Sequence, residues 1–329
     1  MRSNHVGAML GALVGLMAMP ALAATKLEVS LFPSAGWVLH VGIAEGYFAK
    51  EGLEVHPNPI TGSVAQITGM MDGKFDLGLT ALDNVIAYDA GQGAAPLKEK
   101  ADLFAFMGGE GGGLHLITAP EIKTIEALKG KPLAVDAKTT GFAFVLYHIL
   151  ETHGLKQGDY ELVAVGSSQK RFEALVDKKA AGGLLDRPFD SFAKAKGFND
   201  LAAMSKVLPR YQSSVGMARR AWAKDHRDAL VGFIRGYVQA SLWLFDSRNK
   251  DAAIGILLKQ TPNLTRETAE HIYADTTGPD SITSPMAAMD PKGVATVVAL
   301  RSRYGEPKHK LEARQFYDLS YYRAALGKK

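Results

Sequence analysis

Short apolar segments alternate with helix-like segments from residue 27 to about residue 200, and this alternation limits the possible folds more than any other feature. The apolar segments stop at Pro, Gly or polar residues, and the segments between them carry apolar residues at helical spacing. A chain that alternates strand and helix in this way forms a mostly parallel α/β sheet. The predicted strands cover residues 27–33, 53–60, 75–81, two segments within 103–119, and residues 131–136, 160–166 and 181–186.

A second α/β unit begins near residue 120, and the pattern beyond residue 218 predicts helices only. Residues 60–85 and 164–190 follow the same plan: a strand end, a Gly-Ser turn, a helix, a buried strand and a polar turn. Two units built on one plan would direct strand carboxyl ends and helix N-termini at a shared cleft. Ligands of open α/β sheets bind at such a cleft.

The N-terminus has the pattern of a secretory signal peptide. Arg2 precedes the apolar run 6–19, and small residues stand at Ala21 and Ala23. We expect cleavage after Ala23, and position 24 is Ala rather than the Cys that lipid anchoring requires. The sequence therefore predicts an exported protein without a lipid anchor, and the periplasm fits this best.

Composition and motifs weigh against several classes of function. The chain has no Cys, a net charge of +4 and no basic block, so we expect no disulfide, thiolate chemistry or nucleic-acid partner. The glycine cluster 108–113 lacks the spacing of phosphate-binding and dinucleotide-binding loops, and we interpret it as a flexible turn. No G-x-S-x-G or H-E-x-x-H motif occurs, and His148 and His153 point apart on a helix. We therefore expect no cofactor, no metal and no catalysis.

Four segments resemble the substrate-binding proteins of nitrate/sulfonate/taurine-type ABC importers, a group that includes binding proteins for thiamine-pyrimidine precursors. They are "GYFAKEGLEV" (46–55), "GSVAQITGMMDGKFDLGLT" (62–80), "IEALKGKPLAV" (125–135) and "FEALVDKKAAGGLLDRPF" (172–189). The last segment departs from the family pattern at Lys178-Lys179 and Gly182-Gly183. The resemblance spans roughly residues 27–245 and lies mainly in the order and spacing of the motifs.

This resemblance implies a two-lobed periplasmic-binding-protein fold of the second type. Lobe 1 would contain residues 24–114 and the helical C-terminal part, 220–329, and lobe 2 residues 115–219. The chain would cross between the lobes near residues 114–118 and 213–218. The implied function is capture of a small solute by hinge closure and its delivery to an ABC permease with its ATPase, and we expect a monomer. The alternatives are a sensor or partner-binding module of a membrane receptor and an enzyme on the same fold.

Binding between two lobes requires polar groups from both lobes and an apolar wall. Candidates from lobe 1 are Ser34, Trp37, His40, Thr61, Gly62, Ser63, Thr80, Asp83 and Asn84. Candidates from lobe 2 are Thr139, Thr140, Gly141, Phe142, Ser167, Ser168, Asp186, Arg187 and Phe189.

Two of these candidates leave alternatives open. The turn Thr139–Gly141 precedes a predicted helix, and its hydroxyls could cap that helix or face a ligand together with the first-turn N–H groups; we expect the turn to do both. Arg187 either binds a ligand carboxylate or sulfonate, or pairs with Asp186 or Asp190. Arg187 and the hydroxyl turns favour an organic anion, such as a sulfonate or an aromatic carboxylate. The aromatic rings favour, as a second choice, a pyrimidine-like heterocycle.

Overall fold

The computed structural model describes residues 23–110, 113–279, 281 and 283–327. Except for its last residue, the signal peptide predicted at residues 1–23 lies outside the described residues. The described strands are β1 (Thr25–Leu31), β2 (Leu53–Pro59), β3 (Leu77–Ala81), β4 (Leu103–Gly108), β5 (His115–Thr118), β6 (Pro132–Val135), β7 (Glu161–Ala164), β8 (Gly182–Leu185), β9 (Asn199–Ala203) and β10 (Ser214–Arg219).

The α-helices in the described part of the chain lie between and after these strands. They are α1 (Trp37–Ala44), α2 (Tyr47–Lys50), α3 (Ser63–Met71), α4 (Leu82–Asp89), α5 (Gly141–Thr152), α6 (Ser168–Val176), α7 (Phe189–Ala195), α8 (Met204–Val207), α9 (Arg220–Asp225), α10 (Arg227–Phe245), α11 (Lys250–Gln260), α12 (Arg266–Thr277), α13 (Pro291–Tyr304) and α14 (Ser320–Ala325). None of them, within these residues, is long and apolar enough to cross a membrane.

Two five-stranded sheets form the framework, with the orders β2-β1-β3-β10-β4 and β7-β6-β8-β5-β9. In each sheet the first three strands are parallel, and the fourth is antiparallel to both of its neighbours. The predicted α/β class and the two-lobed architecture are thus confirmed. We propose lobe boundaries near residues 110 and 213, with lobe 1 on the first sheet and lobe 2 on the second.

The repeated plan in the sequence corresponds to equivalent places in the two sheets. Residues 60–85 connect edge strand β2 through α3 to β3, and residues 164–190 connect edge strand β7 through α6 to β8. Each Gly-Ser turn therefore lies at the carboxyl end of an edge strand and at the start of a helix.

Strand β10 joins the sheet of lobe 1, although the boundary expected at residue 219 assigned it to lobe 2. Its residues pair with β3 and with β4, so the second crossing between the lobes ends before residue 214. The partner of an antiparallel strand is decided by tertiary contacts, and the local sequence carries no signal for it.

The helical segment between β1 and β2 is not one continuous helix. The structure breaks it into α1 and α2 at Gly46, whose φ of 70° lies in the left-handed region. Glycine adopts this conformation without the steric cost that a side chain imposes. The break turns Phe48 inward, where its ring stacks on Phe233 of α10 at 5.2 Å.

Helix α13 belongs to the C-terminal part but contacts both lobes. It packs against α4 of lobe 1 and α5 of lobe 2, and Tyr304 lies 5.7 Å from the ring of Phe144. Arg301 of α13 is fully buried, forms an ion pair with Asp83 and donates a 2.8 Å hydrogen bond to the carbonyl of Thr139. The two lobes therefore share part of one hydrophobic core on this side.

Candidate functional site

A cavity of about 400 Å³ lies between the lobes, at the carboxyl ends of β1, β3, β6 and β8. Its volume falls in the range of about 300–1,000 Å³ that small-molecule sites occupy. Eleven of the eighteen predicted site residues line it. They are Ser34, Trp37, His40, Thr80, Asn84, Thr140, Gly141, Phe142, Ser168, Asp186 and Arg187.

The remaining predicted residues lie close to the cavity but are not part of its lining. They are Thr61, Gly62, Ser63, Asp83, Thr139, Ser167 and Phe189. Each has a structural role. The Gly-Ser turns touch each other across the lobes, Asp83 and the Thr139 carbonyl bind Arg301, and Phe189 packs in an aromatic cluster with Phe172 and Phe192.

The two Gly-Ser turns form direct contacts between the lobes. The Ser167 N–H donates to the Thr61 carbonyl at 2.9 Å, and the Ser63 N–H donates to the Asp136 carboxylate at 3.2 Å. Ser167 also caps α6, because its Oγ accepts from the Lys170 N–H at 3.4 Å. These turns therefore hold the lobes together in this structure.

The turn Thr139–Gly141 does not form a conventional helix cap. The Thr140 hydroxyl donates to the Ala137 carbonyl at 3.0 Å, and its side chain makes no capping hydrogen bond with the described part of α5. Thr140, Gly141 and Phe142 instead line the cavity. The first turn of α5 thus faces the space where a ligand would bind, and a helix N-terminus favours negative charge there.

Apolar side chains make up much of the wall. Phe32, Leu79, Phe142, Leu257 and Ile272 line the cavity. Trp37 also lines it, and its indole N–H donates to the Ala253 carbonyl at 3.0 Å, which fixes the ring. Such a wall suits a ligand with an apolar or aromatic body.

Arg171 is a cavity residue that the sequence analysis missed. This α6 residue is 3% exposed, and its guanidinium donates to the carbonyls of Leu184 at 2.7 Å and Gly166 at 3.0 Å. Burial lowers its pKa, while Asp186 and Asp136 oppose that shift. The missed signal was its helical spacing from Ala174 and Leu175, which places an arginine on the buried face.

Two aspartates from lobe 2 lie near Arg171. Asp136 follows β6 and receives the Ser63 N–H, and Asp186 follows β8. The Asp186 Oδ2 accepts from the Ser34 hydroxyl of lobe 1 at 2.9 Å. Its Oδ1 is buried and accepts no hydrogen bond from any described residue. Buried polar atoms normally have a hydrogen-bond partner, so this oxygen is one of the exceptions among the described residues.

Glu110 is a second residue that was missed, because the glycine cluster around it was interpreted as a flexible turn. Its Oε1 accepts from the N–H groups of Gly36 at 3.1 Å and Val38 at 3.0 Å, at the N-terminus of α1. Burial raises its pKa, and the backbone hydrogen bonds and Arg187 reduce that shift. The Tyr237 side chain lies beside it, and its pKa is raised by burial and by the Glu110 charge.

His40 and Arg187 complete the set of ionisable groups. Burial lowers the pKa of His40, which favours the neutral imidazole. Arg187 forms an ion pair with Asp275 of α12 in lobe 1 at 3.7 Å, whereas the sequence suggested Asp186 or Asp190 as its partner. Among the described residues, no group of three or more His, Asp or Glu side chains is placed to hold a metal ion.

The two sheets with a cavity between the lobes have the architecture of the periplasmic-binding-protein fold. A family model described as NMT1/THI5 like matches residues 37–249, so the chain belongs to that family. This confirms the resemblance predicted from the sequence. No curated protein sequence matches the chain significantly.

Solved structures with the same fold come from several organisms. The periplasmic nitrate-binding protein NrtA from Synechocystis PCC 6803 is similar with a TM-score of 0.79 and 11% identity, covering 92% of this chain and 89% of that chain. The zinc-bound ligand-binding component of an ABC-type import system from Staphylococcus aureus has a TM-score of 0.74 and 14% identity, with coverages of 92% and 99%. The periplasmic aliphatic sulphonate binding protein SsuA from Escherichia coli has a TM-score of 0.64 and 19% identity, with coverages of 88% and 91%.

Proposed function

We propose that this protein is a periplasmic substrate-binding protein, which captures a small organic solute and delivers it to an ABC permease with its ATPase. The observation that carries the proposal is the cavity between the lobes, which is lined by polar and apolar side chains from both. Membership of the family and the similarity to binding proteins for nitrate and sulphonate support it. The predicted signal peptide supports a periplasmic location, and we propose that the protein acts as a monomer.

The mechanism is closure of the two lobes around the solute. Polar contacts already cross between the lobes, from Ser34 to Asp186 and from the Ser63 N–H to Asp136. A solute that touches both walls adds further contacts that exist only when the lobes are together. It stabilises that state in proportion to its differential affinity for the two states.

An organic anion with an apolar body, such as a sulfonate or an aromatic carboxylate, is the first choice of solute. The first turn of α5 supplies N–H groups and a helix dipole at the cavity, and Arg171 and Arg187 supply positive charge. Phe32 and Phe142 provide aromatic surface for the remainder of the molecule.

A pyrimidine-like heterocycle is the second choice, and the carboxylates favour it. Glu110, Asp136 and Asp186 line the cavity beside the two arginines. A flat ring that carries N–H donors would donate to these carboxylates and stack against the aromatic wall.

A thermal-shift screen of residues 24–329 tests the function. The panel contains sulfonates, aromatic carboxylates, nitrate and pyrimidines. A solute at 100 times its dissociation constant stabilises the folded protein by about 2.7 kcal/mol, which raises the melting temperature measurably. No stabilisation by any solute in this panel would contradict solute capture and favour a partner-binding module. Turnover of a solute by the pure protein would indicate an enzyme.

Thr140→Ala tests the α5 turn with any solute that this screen identifies. If the Thr140 turn contacts a charged group of the solute, the variant should bind about ten- to a hundredfold more weakly in calorimetry. The matched control is Ser167→Ala, which removes a helix cap outside the cavity lining and should cost about 1 kcal/mol of unfolding free energy with little change in affinity. Equal affinities for both variants would show that Thr140 has only a structural role.

A further inference from the structure

Helix α1 begins without a capping side chain of its own. Its N-cap is Gly36, which has a φ of 106° and cannot supply an oxygen to the first-turn N–H groups. Trp37, the first residue of α1, and Ser34 line the cavity. A helix N-terminus of this kind attracts an anion, since its N–H groups need acceptors and its dipole favours negative charge.

Glu110 already supplies that anion. It belongs to the segment that crosses from β4 to β5, yet its carboxylate reaches the Gly36 and Val38 N–H groups, more than seventy positions earlier in the chain. The carboxylate is also part of the cavity lining. It therefore occupies the place at α1 that a ligand carboxylate or sulfonate would otherwise take.

We propose that Glu110 sets the orientation of the bound solute, because it excludes the solute's anionic group from the α1 end of the cavity. The inference rests on the proposed function and adds an orientation to it. An acidic solute must place its negative group away from Glu110, near the first turn of α5 in lobe 2. Toward Glu110 it presents an apolar part or hydrogen-bond donors.

Two further features support this assignment. A second negative charge at α1 would lie beside Glu110, and like charges at short distance in a partly buried site repel strongly. In addition, two backbone hydrogen bonds from α1, at 3.1 and 3.0 Å, hold the Glu110 carboxylate in place, and the buried Tyr237 of α10 lies beside it. If a ligand anion displaced the Glu110 carboxylate from α1, that carboxylate would need new hydrogen-bond donors elsewhere in the cavity wall.

The test compares two small probes of similar shape, the anion methanesulfonate and the neutral dimethyl sulfone. Their dissociation constants are measured by calorimetry for the wild type, Glu110→Ala, Glu110→Gln and the control Glu121→Gln, which neutralises an exposed carboxylate of lobe 2. We expect Glu110→Ala to bind methanesulfonate at least about tenfold more tightly than the wild type, since the α1 donors become available. Dimethyl sulfone should gain less than about threefold, and Glu121→Gln should match the wild type.

If Glu110→Ala does not fold, Glu110→Gln tests the proposal instead. Its amide oxygen still accepts from α1 while the charge is gone, so we expect a smaller gain, about threefold to tenfold, for methanesulfonate only. Folded variants that bind methanesulfonate no better than the wild type would overturn the proposal, as would an equal gain for dimethyl sulfone, which would indicate mere added space. This outcome is independent of the solute screen on the wild type, because it uses its own probes. Failure of one proposal is therefore distinguishable from failure of the other.

Discussion

Arg301→Met should remove about 3–5 kcal/mol from the free energy of unfolding, measured by urea denaturation. The Arg301 and Asp83 side chains are 0% and 1% exposed, so the variant leaves the Asp83 carboxylate buried without its cation. Breaking a buried ion pair by removing one partner costs about this much. The same guanidinium binds the Thr139 carbonyl and lies 4.4 Å from the Phe144 ring, both in lobe 2, so contacts between the lobes are lost as well.

Arg303→Met is the matched control, two residues along the same helix. Arg303 is 58% exposed and pairs with Glu151 at 2.6 Å, and exposed ion pairs contribute at most about 1 kcal/mol. In the double variant Arg301→Met, Asp83→Asn the buried charge is absent, so part of the lost stability should return. A single variant Arg301→Met as stable as Arg303→Met would contradict the assigned role of the pair.

Gly166→Ala should separate the lobes. Gly166 has a φ of 103°, and a Cβ atom there would lie 2.5 Å from the Thr61 carbonyl oxygen of lobe 1. That carbonyl accepts the Ser167 N–H across the same contact. Relieving the clash requires the turns to move apart, and a cost of about 1.4 kcal/mol already shifts the equilibrium between lobes in contact and lobes apart tenfold.

The separation can be measured by electron spin resonance between labels on Lys74→Cys and Lys179→Cys, two exposed positions in the two lobes. Because the chain has no native Cys, these two positions are the only ones labelled. Gly158→Ala is the control, since Gly158 has a φ of 100° but no atom within 4 Å of a Cβ there. The same distance distribution in both variants would mean that Gly166 contributes only its local backbone conformation.

The fold could be predicted from the sequence to a large extent, because strand and helix periodicities are local properties. The repeated Gly-Ser plan even located equivalent turns in the two lobes. What local patterns lack is the identity of partners distant in the chain. The pairing of β10 with β3 and the burial of Asp83 against Arg301, 218 positions apart, both depend on such partners.

Part of the candidate site could be predicted from local patterns, and the rest depends on partners that are distant in the chain. Residues at or just after the carboxyl ends of strands, such as Thr80 and Asp186, line the cavity because parallel strands end at one edge. Arg171 was not among the predicted site residues, and the glycines around Glu110 were interpreted as a flexible turn. Both residues take their roles from contacts with other segments of the cavity wall. The signal in the sequence was a single charged residue, on the buried face of a helix for Arg171 and among glycines for Glu110.

The meeting of the two Gly-Ser turns has a consequence for how the lobes recognise each other. Gly62 and Gly166 occupy equivalent places in two similar sheets, and a Cβ on Gly62 would lie 3.4 Å from the Gly166 Cα. Equivalent surfaces in mutual contact are the defining property of the isologous interface of a twofold-symmetric homodimer. In this respect the single chain associates with itself as two subunits would. The two turns can nevertheless change independently, as the two different subunits of a heterodimer can. A substitution in one turn therefore requires a compensating substitution in the other turn.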